Sequence, residues 1–135
     1  MDTPKKQSSK LNKQDIVVTF ILMLNTVKLY HWKTYSYAKH EATDMLYKDL
    51  NKYVDEFVEV MLGKYGGRIP NFDISLALKN SESAEKMKKT IFGYRTFLTG
   101  LNDVLHKEKD SDLLNIRDEI LGALNQFMYL FSFNK

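Results

Sequence analysis

An all-α four-helix bundle with one long crossover is the fold this sequence predicts, and three observations predict it. Apolar residues recur at alternating steps of three and four, the period of one helix face. No stretch shows the strict apolar/polar alternation of a half-buried strand. The link between the second and third helical segments is long while the others are short, the pattern of a bundle in which one connection crosses over. Composition agrees: 135 residues, 44% hydrophobic, with two prolines and six glycines, make one domain large enough for a real core.

The elements follow in order. Asn12 is an N-cap for the first helix, with Asp15 in its opening turn, and the apolar pattern runs to about Trp32. The second helix spans about Lys39 to Leu62 and stops at Gly63, with Gly66 and Gly67 just beyond. The connector GKYGGRIPNFDISLALKN contains Pro70, which forbids simple continuation, and ISLAL reads as one or two helical turns. The third helix begins near Ser81, with Glu82 and Glu85 at the positive end of its macrodipole. Its seam is Ala84, Met87, Ile91, Tyr94, Leu98, Leu101 and Leu105. Gly93 and Gly100 inside it cost roughly 1 kcal/mol each against alanine, which a close backbone approach would compensate. After His106, an Asp110–Asp112 cap starts the fourth helix, with seam Leu113, Ile116, Ile120, Ala123, Phe127 and Leu130.

Charge and cysteine bound the function. With no cysteine, disulfides, thiolate metal sites and cysteine nucleophiles are excluded. The net charge of +3 sits on the N-terminus, where Lys5, Lys6, Lys10 and Lys13 face only Asp2. The rest balances at 16 basic (20 less 4) and 16 acidic (17 less 1) residues. Residues 1–12 therefore read as a basic tail too polar to fold alone, and 13–135 as the bundle. The tail suits DNA or another acidic surface, or serves only to solubilise. The most apolar run, residues 16–24, is about half of the roughly 20 residues a membrane span needs, and no signal peptide is evident. The expectation is a cytoplasmic protein, or one of host cytoplasm or virion if viral.

One stripe carries the chemistry. On the second helix His40, Asp44, Asp55 and Glu59 fall within a single quadrant, beside the apolar face, at about 100° per residue. His40 and Glu59 are about 28 Å apart along the axis, too far to share an ion. Both pairs, His40 with Glu59 and Asp44 with Asp55, are symmetric about the point between Asp49 and Leu50. Laid antiparallel on a two-fold copy, the helix brings His40 to the copy's Glu59 and Asp44 to the copy's Asp55, making two identical sites. His31, at the end of the first helix, would complete the shell. Imidazole with carboxylate suits iron, zinc or manganese better than calcium. The plainer reading is a solvated face on which Lys48 pairs with Asp44 or Asp55, with His31 simply packed and Trp32 and Tyr30 as core aromatics.

At these residues the chain resembles the Dps miniferritins, the DNA-protecting branch of the ferritin-like superfamily. The matching motifs are His31-Trp32, His40-x-x-x-Asp44 and Asp55-x-x-x-Glu59, over residues 25–65. A looser likeness links it to ferritin-like proteins of phages and large DNA viruses. The resemblance implies a ferritin-like bundle and a ferroxidase centre shared across a dimer interface. His31, His40 and Asp44 would come from one subunit, Asp55 and Glu59 from the other, within a higher homo-oligomer such as a dodecamer. It further implies iron storage and detoxification, DNA association through Lys5–Lys13, and acids lining three-fold pores at Asp110 and Asp112, which are equally good helix caps. The His31–His40 interval is about three residues shorter than usual for the family, and the connector and third helix are abbreviated.

Two functional readings follow. In one the protein captures ferrous iron and oxidises it, with Glu59 bridging two ions and Asp44 and Asp55 fixing geometry. In the other it is a non-enzymatic oligomeric bundle, structural or DNA-binding, with a degenerate metal site. Hydrolase chemistry is set aside, for no serine stands in a nucleophile elbow and no glycine-rich loop precedes a helix. His106 reads as a surface residue favoured by a helix dipole.

Overall fold

The computed structural model describes residues 12–71, 73–77 and 83–133. Four helices are present: α1 (Lys13–Lys33), α2 (Tyr37–Tyr65), α3 (Ala84–Gly100) and α4 (Ser111–Leu130), with a 3₁₀ turn, Leu101–Asp103, after α3. No strand occurs among the described residues. Of the basic tail, Lys5, Lys6 and Lys10 lie outside them.

The caps explain where the helices begin. Asn12 accepts from the Asp15 N–H at 3.2 Å, as its position predicts. Ser36 accepts from the Lys39 N–H and Ser83 from the Lys86 N–H, so α2 starts two residues before Lys39. α2 also outruns its expected stop. Gly63 is helical, and the helix ends at Gly66, where φ of 86° reaches a region open to glycine and the N–H still bonds Leu62 O. Residues 74–77, expected to begin a helical turn, have no regular structure.

Side-chain contacts fix the topology. Phe20 of α1 meets Phe57 of α2 and Phe97 of α3 edge-to-face, at ring distances of 5.3 and 5.9 Å. Thr26 and Tyr94 share a hydrogen bond of 2.9 Å between α1 and α3, and burial raises the Tyr94 phenol above its usual range. Tyr30 and Phe131 close the opposite end. α1 thus runs antiparallel to both α2 and α3, and α2 and α3 run parallel. Parallel neighbours in sequence require a long link between them, and the ends to be joined are Tyr65 and Ala84.

The core holds Phe20, Met23, Leu50, Phe57, Met61, Met87, Ile91, Leu98, Leu113, Ile120, Leu124 and Phe127. The α3 seam is as expected but leaves the α-helix at Gly100, with Leu101 and Leu105 buried from the turn and link beyond. A side chain holds this end. Arg117, buried on α4, donates from Nη1 to Leu98 O at 2.7 Å and from Nη2 to Asn102, joining the Leu101 N–H that also bonds Leu98 O where the helix gives way to the 3₁₀ turn. In α4 Leu124, rather than Ala123, completes the buried line. The close approach expected at Gly93 and Gly100 is absent, since a Cβ at either would meet nothing within 4 Å.

Candidate metal centre

The α1–α2 corner is stapled by backbone bonds. Thr34 N–H donates to Tyr30 O, Thr34 Oγ1 accepts from Ser36 N–H, and His40 N–H donates to Ser36 O at 2.9 Å. This short link holds two helix ends side by side and places His31 against His40. Their rings stack with centroids 3.8 Å apart and planes 18° apart.

The two histidines brace one another. His31 Nδ1 lies 2.9 Å from His40 O, and His40 Nδ1 lies 3.0 Å from His31 O. A carbonyl only accepts, so each Nδ1 carries a hydrogen, which leaves Nε2 as the nitrogen that can offer a lone pair. Thr43, fully buried, reinforces this: its hydroxyl donates to Lys39 O at 2.8 Å and stands 3.0 Å from His31 Nδ1. A ring nitrogen committed to a carbonyl, with its opposite nitrogen left as donor to an ion, is how a metal-binding imidazole is usually oriented. The stacking adds a restriction. A metal lies in the ring plane about 2 Å from its nitrogen, and near-parallel planes 3.8 Å apart do not meet at that range. As stacked, the two rings could not share one ion.

The acids of the stripe lie open on the solvent side of α2. Asp44 is partly exposed and pairs with Lys48 at 3.4 Å, one of the two pairings the plainer reading offered. It borders a groove of about 490 Å³ that reaches Met45 and Phe133. Asp55 and Glu59 are exposed, down the helix from His40. Among the described residues, no three histidines or acids of one chain gather around a common point. One chain therefore brings His31 and His40 together but not Asp55 or Glu59. Tyr30 is a core aromatic as expected, whereas Trp32 is 69% exposed and is not.

The far end of α2 carries a second polar cluster. Asp110 occupies the N-cap position of α4, yet its side chain makes no cap bond to α4. Its carboxylate turns back instead, accepting from Tyr65 Oη and, at 2.7 Å, from His106 N–H. It is buried, and the capping role does not describe its side chain. Lys64 bonds Asp112 at 3.1 Å and holds that carboxyl below its usual range, while burial and Asp110 push Tyr65 up to about 12. His106 lies past the end of α3, and its Nδ1 accepts from the N–H groups of Glu108 and Lys109, so it shapes the turn rather than serving a dipole. Thr43 and Arg117 were not singled out from sequence. A threonine three residues after a histidine is a findable signal for the first, while the second depends on α3 ending beside α4.

Among the described residues no helix is long and apolar enough to cross a membrane. No solved structure matches the chain. It is 30% identical over 130 residues to an uncharacterized 14.6 kDa protein in the mobD-ri intergenic region of Enterobacteria phage T4, with 93% of each chain covered. A family model, described as a family of unknown function (DUF5856), matches residues 31–131. That span runs from the first histidine of the stacked pair to the aromatic end of α4, and with it the chain belongs to this family of unknown function.

Proposed function

We propose that the protein binds ferrous iron as substrate at a site shared by two copies and oxidises it, in the manner of the Dps-like miniferritins its motifs resemble. The observation that carries this reading is the braced pair His31 and His40, each with Nδ1 spent on the other's carbonyl and Nε2 left to an ion. In the two-fold arrangement, Asp55 and Glu59 of the second copy would face this pair, and their carboxylates would hold ferrous ions together with the two imidazoles. Asp44 adds a carboxylate once it leaves Lys48. One electron leaves each ferrous ion for dioxygen or peroxide, and a closed shell of copies would retain the ferric product. Zinc or manganese suits the same donors. A tail with Lys5, Lys6 and Lys10 would add sequence-independent, salt-sensitive attraction to DNA, while Lys13 opens α1 and bonds Gly66 O.

Anaerobic titration of the parent with Fe(II), followed by an oxidant, tests this reading. We expect stoichiometric binding and ferric absorbance that rises faster than in buffer, both lost in a His31→Ala/His40→Ala variant. Equal uptake by parent and variant would remove the site assignment.

The second reading is an oligomeric bundle without metal chemistry. The Asp44–Lys48 ion pair favours it, because a carboxylate neutralised within its own helix has less need of an ion. It predicts no stoichiometric Fe(II) or Zn(II) after loading and desalting, as read by elemental analysis.

A further inference from the structure

One end of the bundle is rimmed with exposed aromatic rings. α1 ends and α2 begins there, and the short corner between them carries Trp32, Tyr35 and Tyr37, all exposed, Tyr35 wholly so. α4 ends beside them, since the buried Lys39 donates from Nζ to Phe133 O at 2.8 Å. That contact brings in two more exposed rings, Tyr129 and Phe133, which meet edge-to-face at 5.3 Å. Between Phe133 and α2 opens the groove of about 490 Å³, lined by Ala38, Ala42, Met45 and Leu130. Single exposed apolar side chains are ordinary on a folded chain, whereas a contiguous patch marks a surface that meets something.

Charge narrows what it meets. Residues 16–40 contain Lys28, Lys33 and Lys39 and no acid, and no acid follows Glu119. α3 adds to this end. Thr26 bonds Tyr94 between antiparallel helices, so Lys88, six residues before Tyr94, stands about level with Trp32, six after Thr26. Lys86 and Lys89 lie to either side of it and are exposed. Of the nearby acids, Asp44 and Glu85 are each paired with a lysine of their own helix, Lys48 and Lys88. Glu41 accepts from the Tyr37 hydroxyl and raises its pKa. The end is therefore basic as well as aromatic.

A phosphate-bearing partner of either of two kinds would answer that charge. In a nucleic acid, successive bases stack along a track of ring faces. Here Lys28 lies over Trp32, 5.5 Å from the ring centre, and Tyr129 and Phe133 cross at 86°, so these rings do not line up as such a track. A bilayer surface needs no register. It takes Trp and Tyr at headgroup depth, Phe and Met just below, and lysines against lipid phosphate. We propose that this end of the molecule docks on the surface of an anionic bilayer, with the Trp32–Tyr37 corner and Phe133 entering the headgroup layer. No helix has to cross, and nothing in this docking rests on the iron reading.

Trp32 is the sole tryptophan, so its fluorescence reports this corner alone. The whole chain is mixed with vesicles of phosphatidylcholine carrying roughly a third phosphatidylserine. The emission should shift to the blue and be quenched by lipids brominated near the head of the acyl chain. Tyr35→Ser/Phe133→Ser, at two exposed positions, should weaken vesicle binding about tenfold while the helical circular dichroism is kept. Lys86→Glu/Lys89→Glu should weaken it about as much at low salt and less at high salt. An unquenched Trp32, even where the protein pellets with the vesicles through its basic tail, would overturn the proposal. So would equal binding to pure phosphatidylcholine. A shift with a single-stranded oligonucleotide and none with vesicles would give the patch to nucleic acid instead. A shift with protein concentration and none with vesicles would give it to a second copy.

Discussion

The two ends of α2 solve the same local problem differently. Each is a polar cluster that ties α2 to a neighbouring element. At the far end Tyr65, Lys64 and the His106 N–H converge on Asp110 and Asp112, and donors and acceptors find one another within the chain. At the near end His31 and His40 each give one nitrogen to a carbonyl and keep the other. The first pattern is a clasp, complete in one chain. The second leaves two lone pairs on rings already fixed in place, and fixed, unspent donors are what a ligand site requires.

If this contrast is right, substitutions at the two ends should separate stability from binding. Asp110→Ala should have the largest effect on stability, about 2 kcal/mol, because it removes the buried acceptor of the Tyr65 hydroxyl and the His106 N–H. Urea unfolding should show that loss with metal uptake unchanged. His40→Ala should cost only about 1 kcal/mol, the net worth of a hydrogen bond, yet remove most of the Fe(II) uptake measured by calorimetry. A reversal of these two outcomes would break the comparison.

Smaller effects sharpen it. Tyr65 ionises at about 12 in the folded chain against 10.0 when free. The fold therefore holds its proton more tightly, and the stabilisation it gives is whole below pH 10 and fades as pH rises through 12. Tyr65→Phe should flatten the decline of thermal stability over that window. Lys48→Ala should change stability by less than about 0.5 kcal/mol, since the pair is exposed. It should tighten metal binding several-fold by freeing Asp44.

The four helices, their order and the long crossover were legible from apolar spacing, because burying one face of each helix leaves a period of three and four in the sequence. Boundaries were less legible where the deciding group lies elsewhere in the chain. The end of α3 is tied to α4 by Arg117, which reaches Leu98 O, a contact no local pattern encodes. Asp110 has the identity and place of a cap, and only the arrival of Tyr65 and the folding back of His106 draw its carboxylate away. At the candidate site, spacing picked out His31 and His40 but gave no hint that they stack, since that depends on how Thr34 and Ser36 turn the corner. Trp32 was in plain view, but an aromatic on an apolar helix reads as core until the structure shows which side is covered.

Chain complementation tests most directly whether a site is assembled from two copies. One chain carries His31→Ala/His40→Ala, the other Asp55→Ala/Glu59→Ala, and each alone should bind no iron. Co-refolded in equal amounts, they should recover about a quarter of the parent's Fe(II) stoichiometry, because half of the random dimers gain one intact site of two. Mixed dimers that form, as native mass spectrometry would show, yet bind no iron would contradict the account.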